Sequence, residues 1–218
     1  MKQSILHLIR TLDPRMGGPT EFLKLICESH ARRGVQVKIL TLDAPGETWL
    51  RNAPVPAAGG GPGHGVYGYH RRFKERLFRE MNCFDLMVVH GLWQYHGVSA
   101  LAVARQLGKP YYVFPHGMLD PWFKREFPIK HCKKQVYWLS MERSILRHAE
   151  EVLFTSDHER KRAIATFWPP VRYRSSVLPL GVQQAPADTE PLRQEFLNQF
   201  PRLRNRRFLL FLGRLHPK

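Results

Sequence analysis

An alternation of short apolar runs with amphipathic stretches constrains this chain more than any single motif. Ile5 to Ile9 is the first such run, and a Gly-Gly-Pro turn with the stretch PTEFLKLICESHARR separates it from VQVKILTL at 35–42. Strand, helix, strand is the unit of a parallel sheet, because parallel neighbours need a crossover connection, usually a helix. The stretch between the two runs reads as that helix, with Phe22, Leu25 and Ile26 on one face and Gly34 closing it. The rhythm then resumes with LMVVH at 86–90, a helix over about 93–107 and YYVFP at 111–115. A long helical stretch from about 129 to 148 leads to EVLFTS, a helix at 157–167, SVLPL at 176–180 and a last helix near 189–199. About six strands interleaved with helices predict an α/β fold, a Rossmann-like doubly wound parallel sheet.

The chain is long enough to support it: 218 residues with 43% hydrophobic content bury one substantial core. A further apolar run, FLLFL at 208–212, reads as a buried strand opening a second structural unit. Lys and Arg total 34 against 18 Asp and Glu, a formal charge of +16. That balance brings polyanionic partners into consideration: nucleic acid, an anionic membrane face or a phosphorylated substrate. Cys27, Cys83 and Cys132 are odd in number and widely spaced, without C-x-x-C. They indicate neither a disulfide framework nor a thiolate zinc site, and a reducing cytosol fits best. The start, MKQSILHLIR, is broken by His7 and Arg10 and is too short for a signal-peptide core. No segment approaches the roughly 18 apolar residues of a membrane span.

Between the second and third strands lies APVPAAGGGPGHGVYGYH. It contains G-x-G-x-x-G as Gly63, Gly65 and Gly68, but Pro-rich coil precedes it where a dinucleotide fingerprint needs a strand leading in and a helix opening on its last glycine. Its composition predicts a mobile surface loop. The first turn, DPRMGGPTEF, is a better phosphate-facing element, because Gly17 and Gly18 sit between strand and helix with Pro19 at the helix start. Free amides there suit an anion or a sugar hydroxyl; a tight turn that needs glycine for backbone reasons explains the same residues.

Two His-Gly pairs, His90-Gly91 in HGLWQYHG and His116-Gly117 in FPHGMLDPW, fall at strand ends. Ligands bind outside the carboxyl ends of strands in open α/β sheets, and a histidine there can donate to a hydroxyl or carry charge. For His90 a structural role bonded to a loop carbonyl accounts for the residue equally well; Gly117, Asp120, Pro121 and Trp122 build a constrained loop around His116. Basic stretches at 70–80 and 123–148 interleave aromatics with cations. That pattern belongs to a nucleic-acid surface, to a helix lying on an anionic membrane, or to a solvated helix face with its aromatics turned inward.

The stretch GGPTEFLKLICESHARRG, then PHGMLDPW, TSDHERKRA after a strand, VLPLGV and FLGRLHPK, in that order, resemble a retaining family-4 glycosyltransferase of the two-domain GT-B fold. The resemblance implies an N-terminal acceptor-binding domain over 1–184, a linker over 185–206, and the first strand of a truncated donor-binding domain over 207–218. It implies Gly17 and Gly18 near the donor's phosphates, His116 at the donor sugar, and Arg214 with Lys218 on the leaving diphosphate, with His90 and Asp120 as candidates on the acceptor side. It also implies a nucleotide-sugar donor, a glycan or lipid-linked acceptor, no metal, and a place in cell-surface polysaccharide biosynthesis, cytoplasmic or peripheral on the inner face of the membrane. The family's lysine follows its arginine by about five positions and precedes a glycine, whereas Lys218 follows Arg214 by four and is the last residue. The carboxylate-bearing segment that holds the nucleotide sugar in the family is also missing, so the chain by itself is expected to be silent unless a separately encoded C-terminal half supplies it. A non-catalytic glycan or membrane-surface module is the alternative, and a basic nucleic-acid binder the more remote one.

Overall fold

The computed structural model describes residues 3–181 and 187–211, and the chain divides into two compact units at the Gly181–Val182 junction. In the first unit, β1 (Ser4–Ile9), β2 (Gln36–Thr41), β3 (Ala57–Gly59), β4 (Leu86–His90), β5 (Tyr111–Phe114), β6 (Glu151–Phe154) and β7 (Ser175–Val177) form one sheet. Its order is β3-β2-β1-β4-β5-β6-β7 and every pairing is parallel. The connections carry α1 (Gly18–Arg32), α2 (Thr48–Arg51), α3 (Phe73–Met81), α4 (Tyr95–Leu107), α5 (Trp122–Glu126), α6 (Pro128–Tyr137), α7 (Arg143–His148) and α8 (Asp157–Ala163). The expected doubly wound parallel sheet is what the chain forms.

Both faces of the sheet are covered, so its strands read as continuous apolar runs; all six residues of β1 are buried. Alternation sends Leu6 and Leu8 into one cluster with Met87, Val89 and Val113, against Phe73, Leu77 and Met81 of α3 and Val103 of α4. Ile9 joins the opposite cluster, with Ile39 of β2, Leu23 and Cys27 of α1, and Leu50 of α2. The inward residues of α1 are thus Phe22, Leu23 and Cys27, with Ile26 only partly covered, rather than the expected Phe22, Leu25 and Ile26. Counting cysteine as a small hydrophobe rotates the apolar stripe to the observed face. The long helix expected near 129–148 is interrupted by a π-helical turn at Trp138–Glu142 between α6 and α7.

The Gly/Pro-rich segment departs furthest from expectation. Ala57–Gly59 is strand β3, paired to β2 through Ile39, Leu40 and Thr41, and Gly59, Gly60 and Gly61 are buried. A Cβ at Gly59 would lie 2.6 Å from Ala44 O, and one at Gly61 would lie 2.2 Å from Leu42 O. These glycines bring two backbones into contact, which a loop reading based on composition alone misses.

In the second unit, α9 (Glu190–Gln199) is followed by a 3-10 turn at Pro201–Leu203. Phe196 meets Phe200 and Phe208 at ring-centroid distances of 5.0 and 6.0 Å. Residues 208–211, expected as a buried strand, carry no strand pairing and are exposed. Arg214 and Lys218 lie outside the described residues.

Candidate active site

The chain runs from β1 outward through β2 to β3, then returns to β4 on the other side of β1 and continues through β5, β6 and β7. The β1/β4 boundary is therefore the point where the winding reverses, and crevices outside strand carboxyl ends form at such points. A cavity of about 110 Å³ lies there, lined by Ile9 at the end of β1 with Arg10 and Thr11 beyond it, by Met16, Pro19 and Thr20 around the start of α1, and by His90, Gly91, Gln94, His116 and Met118.

The wall after β1 is a short, tied turn. Asp43, two residues beyond β2, accepts from Thr11 Oγ1 at 2.5 Å and from the Leu12 amide at 3.0 Å, while Asp13 accepts from the Arg15 amide and caps a 3-10 turn at Pro14–Met16. Gly17 then takes φ +79° and ψ −142°, a conformation reserved in practice for glycine, and α1 opens on Gly18 with Pro19 in its first turn. Nothing lies within 4 Å of a Cβ built on Gly17 or Gly18. The helix start therefore has open space in front of it, where the Gly18 amide has no acceptor among the described residues while Thr20 and Glu21 donate to Gly17 O at 3.1 and 3.3 Å.

Opposite stands a row of histidines. His7 Nδ1 is 3.0 Å from His90 Nε2, and His90 Nδ1 is 3.0 Å from His116 Nε2. His90 thus spends both ring nitrogens on other histidines, while its carbonyl accepts from His96 Nε2 at 2.9 Å. His116 holds φ +52° and stacks on Phe114, the ring planes 8° from parallel and the centroids 4.5 Å apart; Phe22 of α1 meets both rings edge-on. Burial lowers the pKa of His116 to about 4. Burial, with the neighbouring His30 second, lowers that of His7 to about 3. His90 falls well below the usual histidine range, first through burial and then through His7, His116 and His96. All three are neutral at pH 7, and their nitrogens face one another in sequence rather than converging on a common point.

The loop carrying His116 is pinned from below. Glu159 of α8 accepts from the Gly117 amide at 2.7 Å and from the Thr155 amide and hydroxyl at 2.9 and 2.6 Å. Asp120 accepts from the Trp122 amide at 2.8 Å and from Arg162 at 3.1 Å. It faces a different hollow, shared with Phe123, Phe127, Lys130, His131 and Lys134, and is not part of the histidine cavity. The Trp93 amide is held at 3.0 Å by buried Glu142, whose carboxyl burial pushes up to about 8 against the opposing pull of the Trp93 bond and of Lys134.

Of the residues singled out in the sequence, His90 and His116 line one cavity, and Pro19 of the glycine turn faces the same space. His7 and Arg10 carry weight that the sequence did not disclose. Each looked like a mere interruption of an apolar run, yet Arg10 donates to Gly63 O and Gly65 O at 3.2 Å and ties the glycine-rich loop to the cavity's rim. A larger cavity, about 610 Å³, lies against Gly60, Gly61, His70 and α3. Its polar walls are Arg and Glu side chains on and beside α3, away from the β1/β4 boundary, so volume alone does not outweigh the position of the smaller one. On α3, Phe73, Leu77 and Met81 turn inward, which makes the 70–80 stretch a solvated helix face.

A seven-stranded, all-parallel sheet with helices on both faces is an α/β Rossmann-like fold, of the kind that forms the N-terminal half of GT-B glycosyltransferases. Residues 17–181 match the Glycosyl transferase 4-like domain, and the chain belongs to that family. A crystal structure of Anabaena HepE in complex with UDP superposes with a TM-score of 0.59 at 18% identity, covering 90% of this chain and 50% of that one. The same protein with UDP and glucose gives 0.56 at 18% identity, over 88% of this chain and 50% of that one. A glycosyltransferase from Rickettsia africae gives 0.51 at 10% identity, over 89% and 49%. This chain thus spans about half the length of these structures. No curated protein matches the sequence.

Proposed function

We propose that this chain is the acceptor-side half of a retaining glycosyltransferase that moves a sugar from a nucleotide-sugar donor to a glycan or lipid-linked acceptor, in the assembly of cell-surface polysaccharide. The observation that carries the reading is the cavity at the β1/β4 boundary, between Met16 and Pro19 at the start of α1 and His116, in a member of a glycosyltransferase family. The UDP and glucose bound by HepE are the precedent for the donor class.

In this reading the bond from the sugar's anomeric carbon to the diphosphate breaks while a bond to the acceptor hydroxyl forms on the same face. The hydroxyl's proton passes to the departing phosphate oxygen. Charge accumulates on that diphosphate, and Arg214, a guanidinium able to bind it bidentately, meets the need without a metal. Lys218 and the single free amide of Gly18 add to the same field, and His116 contacts the donor sugar. The donor-binding half, within the same protein or on a separate chain, completes the site.

The membrane face is argued from the exposed apolar side chains of Phe127, Ile129 and Val136, and of Leu139 and Met141 beyond α6, interleaved with Lys130 and Lys133. Exposed apolar and cationic groups side by side suit a headgroup boundary. No described helix is long and apolar enough to cross a membrane. Joined to a donor-binding half, the chain should release nucleoside diphosphate in the presence of acceptor, and Arg214→Ala should abolish that release; normal turnover by the variant refutes the role. Flotation with vesicles containing anionic lipid separates the membrane reading from catalysis, since absence of binding at low salt removes the former alone.

A further inference from the structure

The histidine row has only two ways to place its protons. Each neutral imidazole carries one N–H, and the two nitrogen-to-nitrogen contacts, His7 Nδ1 with His90 Nε2 and His90 Nδ1 with His116 Nε2, each require one donor and one acceptor. Either every N–H points toward the cavity, or every N–H points away from it. In the first arrangement His7 donates from Nδ1 to His90, His90 donates from Nδ1 to His116, and His116 keeps its own proton on Nδ1. In the second the order reverses, His116 Nδ1 becomes a bare acceptor, and His7 holds its proton on Nε2.

His7 Nε2 decides between them. It is buried and has no hydrogen-bond partner. Carrying a proton there would leave a buried N–H without an acceptor, which folded proteins avoid more strictly than a lone pair without a donor. The groups around the row do not favour the reverse: His30 stacks near His7 with centroids 6.1 Å apart, His96 is committed to the His90 carbonyl, and Arg10 is committed to backbone carbonyls. Phe114 and Phe22 close the remaining sides of His116 with apolar rings.

We propose that His7 and His90 are positioning residues that hold His116 as the neutral Nδ1–H tautomer, so that the cavity presents a hydrogen-bond donor of fixed polarity to an oxygen of its ligand. The inference deepens the proposed function, resting on it for the identity of the cavity but not for the tautomer. His116 then acts as a donor to a sugar hydroxyl or phosphate oxygen and is unsuited to accept a proton from the acceptor. His7 touches no ligand and works only through the two rings that follow it.

Nitrogen-15 spectra of the ligand-free chain labelled at histidine read the tautomers directly, because protonated and bare ring nitrogens resonate far apart. At pH 7, His7, His90 and His116 should each show the Nδ1–H pattern, and an Nε2–H or doubly protonated His116 overturns the proposal. His7→Asn keeps a side-chain N–H in the place of Nδ1 and should preserve the His116 pattern. His7→Leu removes it and should shift His116 toward a mixture of tautomers. A folded His7→Leu variant with an unchanged His116 spectrum overturns the proposal, and if that variant fails to fold, the wild-type spectrum still decides. These spectra need no ligand, so the tautomer assignment and the turnover assigned to the cavity fail independently.

Discussion

Two glycine-bearing regions border the carboxyl edge of this sheet, and they use glycine for opposite reasons. At Gly17, Gly18 and Gly117, nothing lies within 4 Å of a built Cβ. At Gly59, Gly61 and Gly63, backbone atoms stand 2.2–2.7 Å from it. The first group keeps space open beside a helix start and His116; the second brings strand β3 and the following turn against the chain that leaves β2. Glycine content alone cannot separate an open rim from a packed seam, because the difference lies in what has folded nearby.

Substitutions should separate the two sharply. The largest stability loss is expected at Gly61→Ala, where a methyl meets Leu42 O and overpacking removes about 1–3 kcal/mol, read as a lowered Tm or denaturation midpoint. Gly17→Ala meets no neighbour but must hold φ +79°, a strain of order 1 kcal/mol in the same measurement. Gly18→Ala should change stability by no more than about 0.5 kcal/mol, and any effect on turnover by the completed enzyme would then come from crowding the open rim. If Gly18→Ala destabilises as much as Gly61→Ala, the contrast between rim and seam is wrong.

Acid should weaken the rim in particular. The folded-state pKa values of His7 and His116, about 3 and about 4, lie below the ordinary 6.5. The folded state therefore binds fewer protons than the unfolded one in that interval. Stability from these rings is present above pH 6.5 and is lost as pH falls toward 4 and 3. Glu142 slopes the other way, because its raised pKa of about 8 gives a contribution that is full below 4.5 and declines as pH rises through 8. Denaturation midpoints of His7→Asn should accordingly show a shallower decline between pH 6.5 and 4 than the wild type, and those of Glu142→Gln a shallower decline between pH 5 and 8. Parallel curves for variant and wild type would contradict either assignment.

Much of the fold was legible because it is written locally. Runs such as ILHLI, LMVVH and EVLF carry the apolar continuity of strands covered on both faces, and β1, β2, β4, β5, β6 and β7 follow from them. Ala57–Gly59 has only three residues and no β-branched side chain, and its identity as a strand comes from pairing with β2. The site divides in the same way. His116 and Gly17 stood out because each sits at the end of an element beside an unusual turn. His7 did not, because its partner His90 is 83 positions away and its significance lies in a contact between neighbouring strands. Asp120 was marked by the loop it shares with His116, but its partner Arg162 and its hollow are elsewhere, which a sequence offset of four cannot reveal.

We propose the cavity at the β1/β4 boundary as the place of transfer, with His116 as its donor group. The direct measurement is steady-state release of nucleoside diphosphate by the complete two-half enzyme, wild type against His116→Ala, with thermal unfolding followed in parallel. His116→Ala should lower kcat about 10²-fold, the scale of removing one preorganised hydrogen-bond donor, at a similar Tm. An unchanged kcat in a folded His116→Ala enzyme would contradict it.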